Sequence, residues 1–269
     1  MATLHLTKHH GLGNDFLVAL DPPPAPSDGF ADLARRLCDR RRGVGADGLL
    51  IAVGTGGDRV RMVLHNADGS RAEISGNGIR CFAQAIARRT GSFRDQLIAT
   101  DAGDRLVTIR PAESPDTVLA SVDMGSVEPI AEPSGWSELG CHPDRPVAHL
   151  SLGNPHSVVG VDEVGVVDLA LLGGKVPHVN LEIVEPGPRQ HEIRMRVHER
   201  GAGITEACGS GACASAFAAA SWGLATPLDG EIVVHMDGGT ATVTLDRPAD
   251  GRITLTGPAT YVGTIEVEL

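Results

Sequence analysis

Met62-Val63-Leu64-His65-Asn66-Ala67-Asp68-Gly69-Ser70-Arg71-Ala72-Glu73-Ile74-Ser75-Gly76-Asn77-Gly78 decides the reading of this chain, because the chain holds it twice. The second copy runs Met195-Arg196-Val197-His198-Glu199-Arg200-Gly201-Ala202-Gly203-Ile204-Thr205-Glu206-Ala207-Cys208-Gly209-Ser210-Gly211. At an offset of 133, Met, His, Glu and both closing glycines coincide. A repeat at half the chain length indicates a duplicated domain, since solenoid periods are far shorter. Each copy opens with a short alternating strand. A glycine turn follows, then Ser75 or Cys208 before Gly-x-Gly, then a helix of small and apolar residues, Ile79 to Ala87 or Ala212 to Ala220. One oxygen or sulfur atom is thereby set where a loop becomes a helix. Such a start offers backbone N–H groups and a positive dipole end, which suit a carboxylate and lower the pKa of a thiol. The alternative is a tight helix entry that needs glycine and nothing more.

The 269 residues suit two ordinary domains. Hydrophobic residues make up 42% and charged residues 21%, a globular composition; aromatics are only 3% and glycines number 34, so the core is built from small and β-branched side chains. A net charge of −11 argues against nucleic acid or an anionic membrane surface as partner. Met1 to His10 carries no apolar signal segment, and no apolar run nears the ~18 residues of a membrane span. Five cysteines without C-x-x-C fit a reduced, cytoplasmic protein better than a disulfide scaffold. Eleven histidines show no ligand spacing, so no metal site is expected.

Strands are expected at Leu4–Lys8, Phe16–Leu20, Leu49–Val53, 96–100, 105–110, 118–124, 147–152, 178–183, 231–236, 240–245, 252–256 and 261–268. Helices are expected from Asp28, as cap, to Asp39, and over 164–172. Arg40 to Arg42 reads as the solvated basic end of the first helix. Gly13-Asn14-Asp15-Phe16 is echoed by Gly153-Asn154-Pro155-His156, a second anchor of the duplication. Short turns between many strands indicate mixed or antiparallel sheets around a helix, an α+β fold. The boundary is placed after residue 117: an N-terminal half of 1–117, joined by a last strand at 260–269, and a C-terminal half of 118–259.

His10-Gly-Leu-Gly-Asn-Asp-Phe16, Asn66-Ala-Asp-Gly-Ser70, Gly76-Asn-Gly78 with Arg80-Cys81-Phe82, Gly153-Asn-Pro-His156, Glu199-Arg-Gly-Ala-Gly203 and Ala207-Cys-Gly-Ser-Gly-Ala-Cys213 together resemble the diaminopimelate epimerase family, in order and over nearly the whole chain. The resemblance implies two pseudo-symmetric halves, each a sheet wrapped around a central helix, with the site in the cleft between them. It implies a homodimer that interconverts LL- and meso-diaminopimelate without a cofactor, in lysine and peptidoglycan synthesis. Cys208 and position 75 would be the two acid–base groups, tuned by His156 and Glu199. Asn14, Asn66, Asn154 and Asn180 would bind substrate, an amide offering both donor and acceptor to a zwitterionic end. Glu199 and Arg200 would bind the distal ammonium and carboxylate. Gly76, Asn77, Gly209 and Ser210 would present N–H groups to the reacting carboxylate, neutralising it as carbanion character develops. Taken singly, each Asn also reads as a turn cap, Glu199-Arg200 as a solvated ion pair, and His156 as a packed core residue. Cys81 and Cys213 read as buried small residues, Cys38 and Cys141 as structural or incidental.

The departure is Ser75, where the family has cysteine. A hydroxyl is a far poorer base than a thiolate near neutrality. Three readings stand side by side: a deliberate replacement that traps an inactive complex, a natural variant in which Ser75 or a water is a weak acid, and a one-base enzyme such as a dehydratase. A racemase of another amino acid, such as a proline derivative or histidine, and an inactive ligand-binding relative complete the alternatives.

Overall fold

The computed structural model describes residues 3–24, 29–54, 59–245 and 252–268. In chain order the elements are β1 (Thr3–Gly11), β2 (Asn14–Ala19), α1 (Ala31–Cys38), β3 (Gly48–Gly54), β4 (Arg59–Asn66), β5 (Arg71–Ala72), α2 (Gly76–Thr90), β6 (Gln96–Thr100), β7 (Gly103–Pro111), β8 (Thr117–Ser126) and β9 (Glu128–Pro129). There follow β10 (Val147–Ser151), β11 (Pro155–Gly160), α3 (Leu169–Gly173), β12 (Asn180–Pro186), β13 (Glu192–Glu199), β14 (Gly203–Thr205), α4 (Gly209–Ser221), β15 (Glu231–Met236), β16 (Gly239–Leu245) and β17 (Arg252–Glu268). The chain divides into two compact units, Met1–Val122 with Gly257–Leu269, and Asp123–Thr256. The divide falls inside β8 and β17, a little beyond the 117/118 and ahead of the 259/260 positions expected from composition.

In the first unit β1 and β2 form a hairpin through Leu12 and Gly13, both at positive φ, the turn that suits the twist of paired strands. β2 runs parallel to β3, β3 antiparallel to β4, β4 parallel to β6, and β6, β7 and β8 antiparallel in turn. Residues 260–268 of β17 lie antiparallel to β1. The Tyr261 N–H donates to the Asp116 carbonyl at 2.8 Å, and the Thr117 and Thr260 hydroxyls meet at 2.9 Å, which ties the last strand to β8. The sheet so closed surrounds α2, most of whose residues are buried. A helix enclosed on all sides needs small and apolar side chains all round. The second layer is α1, whose Ala34 and Leu37 pack with Leu4, Leu17, Leu49 and Ile51. Covered on both faces, β3 reads as a continuous apolar run.

The second unit repeats this order. β11 is parallel to β12, β12 antiparallel to β13, β13 parallel to β15, and β15, β16 and β17 antiparallel. β4 and β13 keep the offset of 133 at both ends, and α2 and α4 start at the same offset. The second helix is Gly209-Ser-Gly-Ala-Cys-Ala-Ser-Ala-Phe-Ala-Ala-Ala-Ser221, small enough for strands to wrap closely. Outside this sheet Leu169 and Val176 pack with Trp136, Val159, Leu181 and Ile183.

Three expectations are corrected. The first helix begins at Ala31, with Phe30 at its N-cap and no capping side chain; Asp28, expected as the cap, lies outside the described residues. The helix expected over 164–172 is broken into a 3-10 turn, Val164–Val166, and the single turn of α3, whose N-cap Asp168 accepts from the Leu171 N–H at 3.1 Å. Val164, Val166 and Val167 are β-branched and disfavour a helix there. The strands expected at 252–256 and 261–268 are one, β17. Pro258 sits where the strand leaves β16 at Thr256 and takes up β1 at Thr260, so its missing N–H is not needed by either ladder. Arg40 is exposed, as expected of the basic end that follows α1, and there donates to Asp15 at 2.6 Å and Asp47 at 2.8 Å.

Candidate active site

The two repeat copies end in matching helix starts. Ser75 is the N-cap of α2 (φ −135°, ψ 121°) and Cys208 the N-cap of α4 (φ −127°, ψ 114°). Their carbonyls accept the first helical bonds, from Ile79 and Ala212, both at 2.9 Å. The helices themselves supply no carbonyl to the N–H groups of Gly76 and Asn77, or of Gly209 and Ser210. The closing glycines are needed for space. A Cβ at Gly78 would lie 3.1 Å from the Ser75 Cβ, and one at Gly211 would lie 2.6 Å from Glu182 Oε1.

In the first unit the Ser75 hydroxyl accepts from the Gly78 N–H at 3.0 Å, so it caps its helix. Asn77 Nδ2 donates to Asn14 Oδ1 at 3.1 Å, and Asn14 Nδ2 donates to Asp47 Oδ2 at 2.8 Å. Arg80, fully buried, donates to Asn77 Oδ1 at 2.8 Å. Asp47 also takes the Asp15 N–H at 3.0 Å and the Arg40 guanidinium. Burial works to raise the Asp15 carboxyl, but hydrogen bonds from Arg40 and Lys8 prevail and hold it below the usual range. Asn66 donates to the Ser70 hydroxyl at 3.0 Å within its own turn.

The second unit gathers more of the expected residues. Asn154 Nδ2 donates to the Ser210 hydroxyl at 3.1 Å, and Asn154 Oδ1 lies 3.1 Å from His156 Nε2. His156 Nδ1 lies 2.7 Å from Glu182 Oε1, and the Cys208 sulfur lies 3.7 Å from the Ser210 hydroxyl. Asn180 spans two backbones: Nδ2 donates to the Pro155 carbonyl at 3.1 Å and Oδ1 accepts the Arg200 N–H at 2.8 Å. Glu199 accepts from the Thr205 hydroxyl, and the Arg200 side chain is exposed.

The expectation of a depressed thiol is overturned at Cys208. Its thiol is pushed well above the ordinary value, first by burial, then by the charges of Glu199 and Glu182; the Gly211 N–H and the Ser210 hydroxyl pull the other way and lose. The helix start is real, but burial, with two carboxylates brought in by β13 and β12, outweighs it. Burial also pushes Cys81 and Cys38 up to about 12. All five cysteines are free, and Cys213 is fully buried.

Sequence reasoning missed Asp47 and Glu182. Asp47 passed as a residue of a glycine turn. Glu182 carried a weak signal, a carboxylate between Leu181 and Ile183 in a strand that also holds Asn180 and Glu185. Among the described residues no group of three His, Cys, Asp or Glu side chains is arranged to hold a metal ion, and no helix is long and apolar enough to cross a membrane.

This fold, duplicated α+β units each with a sheet around a helix, recurs in solved structures. A phenazine biosynthesis protein of the PhzF family from Bacillus anthracis aligns over all of both chains with a TM-score of 0.77 and 17% identity. A hydroxyproline epimerase from Agrobacterium vitis aligns over 99% of this chain and 93% of its own with a TM-score of 0.68 and 17% identity. Sequence narrows the class further. The family model for diaminopimelate epimerase matches residues 6–130 and 149–262. The diaminopimelate epimerase of Synechococcus elongatus (strain ATCC 33912 / PCC 7942 / FACHB-805) is 36% identical over 99% of both chains, and that of Acidiphilium cryptum (strain JF-5) is 38% identical over 95% of this chain and 93% of its own. The chain belongs to the diaminopimelate epimerase family.

Proposed function

We propose that this protein epimerises LL-diaminopimelate to meso-diaminopimelate without a cofactor, with Cys208 as one acid–base group and Ser75 in the place of the other. The observation that carries this reading is the equivalence of Ser75 and Cys208 as N-caps of duplicated helix starts, in a chain of this family. Inverting an α-carbon needs a proton removed from one face and another delivered to the opposite face. In this reading Cys208 would serve one face and the group at position 75 the other. The N–H groups of Gly76, Asn77, Gly209 and Ser210 would hold the reacting carboxylate as charge develops on it. Asn14, Asn66, Asn154, Asn180, Glu199 and Arg200 would recognise the rest of the substrate. The protein would work in the cytoplasm as a homodimer, in lysine and peptidoglycan synthesis.

Ser75 limits this chemistry at one face, beside the raised Cys208 thiol at the other. Its hydroxyl is committed as acceptor to Gly78 and is a weak base, so abstraction falls to Cys208 and delivery at the other face is slow. That commitment also favours a second reading, a one-base enzyme acting on an amino acid by elimination or exchange. Deuterium wash-in at the α-carbon separates the two. Incorporation with inversion supports the epimerase, incorporation without inversion supports the one-base enzyme, and no incorporation by a folded protein contradicts both.

A further inference from the structure

The two units share their strand register but not their chemistry beside the helix start. In the first unit Phe16 pairs with Gly48, and Leu50, two residues on, lies against Gly78, 3.4 Å from where its Cβ would stand. In the second unit His156 pairs with Asn180, and Glu182, two residues on, lies against Gly211. An apolar pair in one unit is thus replaced by an acid and an imidazole in the other. Both are fully buried, and Glu182 Oε2 has no hydrogen-bond partner among the described residues. Burying a carboxylate with one oxygen unsatisfied is expensive, and the first unit folds with leucine at that place. Packing alone therefore does not explain Glu182.

Its neighbours supply a reason. From Glu182 Oε1 the path runs 2.7 Å to His156 Nδ1, then from His156 Nε2 3.1 Å to Asn154 Oδ1, from Asn154 Nδ2 3.1 Å to the Ser210 hydroxyl, and 3.7 Å on to the Cys208 sulfur. The path also returns on itself through space: a Cβ at Gly211 would touch both Glu182 Oε1 at 2.6 Å and the Cys208 sulfur at 3.3 Å. We propose that Glu182 is a positioning residue, whose carboxylate fixes the His156 ring through Nδ1 and, along Asn154 and Ser210, governs the charge state of Cys208. Both ring nitrogens face acceptor oxygens, so both donate: Nδ1–H to the Glu182 carboxylate and Nε2–H to Asn154 Oδ1, which turns the Asn154 amide so that its N–H meets Ser210. Removing the carboxylate frees each of these groups in turn. The direction of the electrostatics agrees: burial raises the Glu182 carboxyl against the opposing pull of His156, and Glu182 in turn pushes the Cys208 thiol up. The groups facing the thiol are Glu199 on β13, Glu182 on β12 and, through Asn154, His156 on β11.

The proposal concerns the thiol that the proposed function makes catalytic, yet it is testable without turnover. The test is the ultraviolet thiolate titration of the full chain, read as the difference from Cys208→Ala. Glu182→Gln keeps the shape and removes the charge, so the Cys208 transition is expected to move to lower pH by about one unit. A folded Glu182→Gln protein with the wild-type transition overturns the proposal. A companion measurement needs no variant: nitrogen-15 shifts of the His156 ring in the wild-type chain. Protons on both nitrogens are expected, Nδ1–H bonded to Glu182 and Nε2–H to Asn154 Oδ1; an unprotonated Nδ1 overturns the proposed orientation. Loss of wash-in activity with both results intact would count against the epimerase reading and leave this one standing.

Discussion

At the scale of single residues, Ser75 and Cys208 occupy one structural role and two chemical ones. Both cap a buried helix, and serine is the better cap of the two because its oxygen accepts strongly from the N3 N–H. Ser75→Ala is therefore expected to destabilise the protein by about 1 kcal/mol, measured by urea unfolding. Cys208→Ala is expected to remove α-deuterium exchange while the protein stays folded; retained exchange would move the base elsewhere. The positions of both residues could be read from the sequence, since Gly-x-Gly after a short strand announces a helix start. The charge state of Cys208 could not. It depends first on burial and then on the charges of Glu199 and Glu182, which other strands bring near once the sheet has wrapped around α4.

At the scale of elements, strands were legible where alternation or apolar runs were strong, and the central helices where small, apolar residues follow Gly-x-Gly. α3 was misread because three valines nearby carry a helical spacing but a strand preference. β17 was split in two because Gly257-Pro258 signals a turn in any sequence, and only the change of partner from β16 to β1 explains its tolerance. Asp47 shows how a turn positions an element: it anchors Asn14 at the start of β2 while holding Arg40 beyond α1. Asp47→Ala is expected to raise the KM for diaminopimelate roughly tenfold with a smaller effect on kcat, from the loss of a charged hydrogen bond of about 1.5 kcal/mol. On β1, His9 is buried between Gln84 and Thr7, and burial lowers its pKa to about 4. The native protein thus resists protonating a group that the unfolded chain protonates readily. Stability from this residue is complete above the ordinary value of 6.5 and is lost as pH falls towards about 4, at about 1.4 kcal/mol per pH unit. His9→Gln is expected to flatten the decline in urea midpoint over that range; an unchanged slope would show that other groups carry it.

At the scale of the whole molecule, the duplication was the most legible feature, because repeated motifs survive in register at an offset that the elements keep. Which strand closes each sheet was less so, for strand exchange depends on partners far apart in the chain. Residues 260–268 provide the partner of β1 in the first unit, so a chain ending at Thr256 is expected to lose that unit's cooperative unfolding transition in a thermal melt. The proposed function requires an acid–base group at position 75 as well as Cys208, and a serine hydroxyl is the poorer base for that place. The most direct measurement is deuterium wash-in and stereochemical inversion of diaminopimelate by the wild-type chain and by Ser75→Cys. Slow wash-in by the wild type and a large gain of inversion in Ser75→Cys are predicted. A folded Ser75→Cys protein that neither incorporates deuterium nor inverts its substrate would contradict the account.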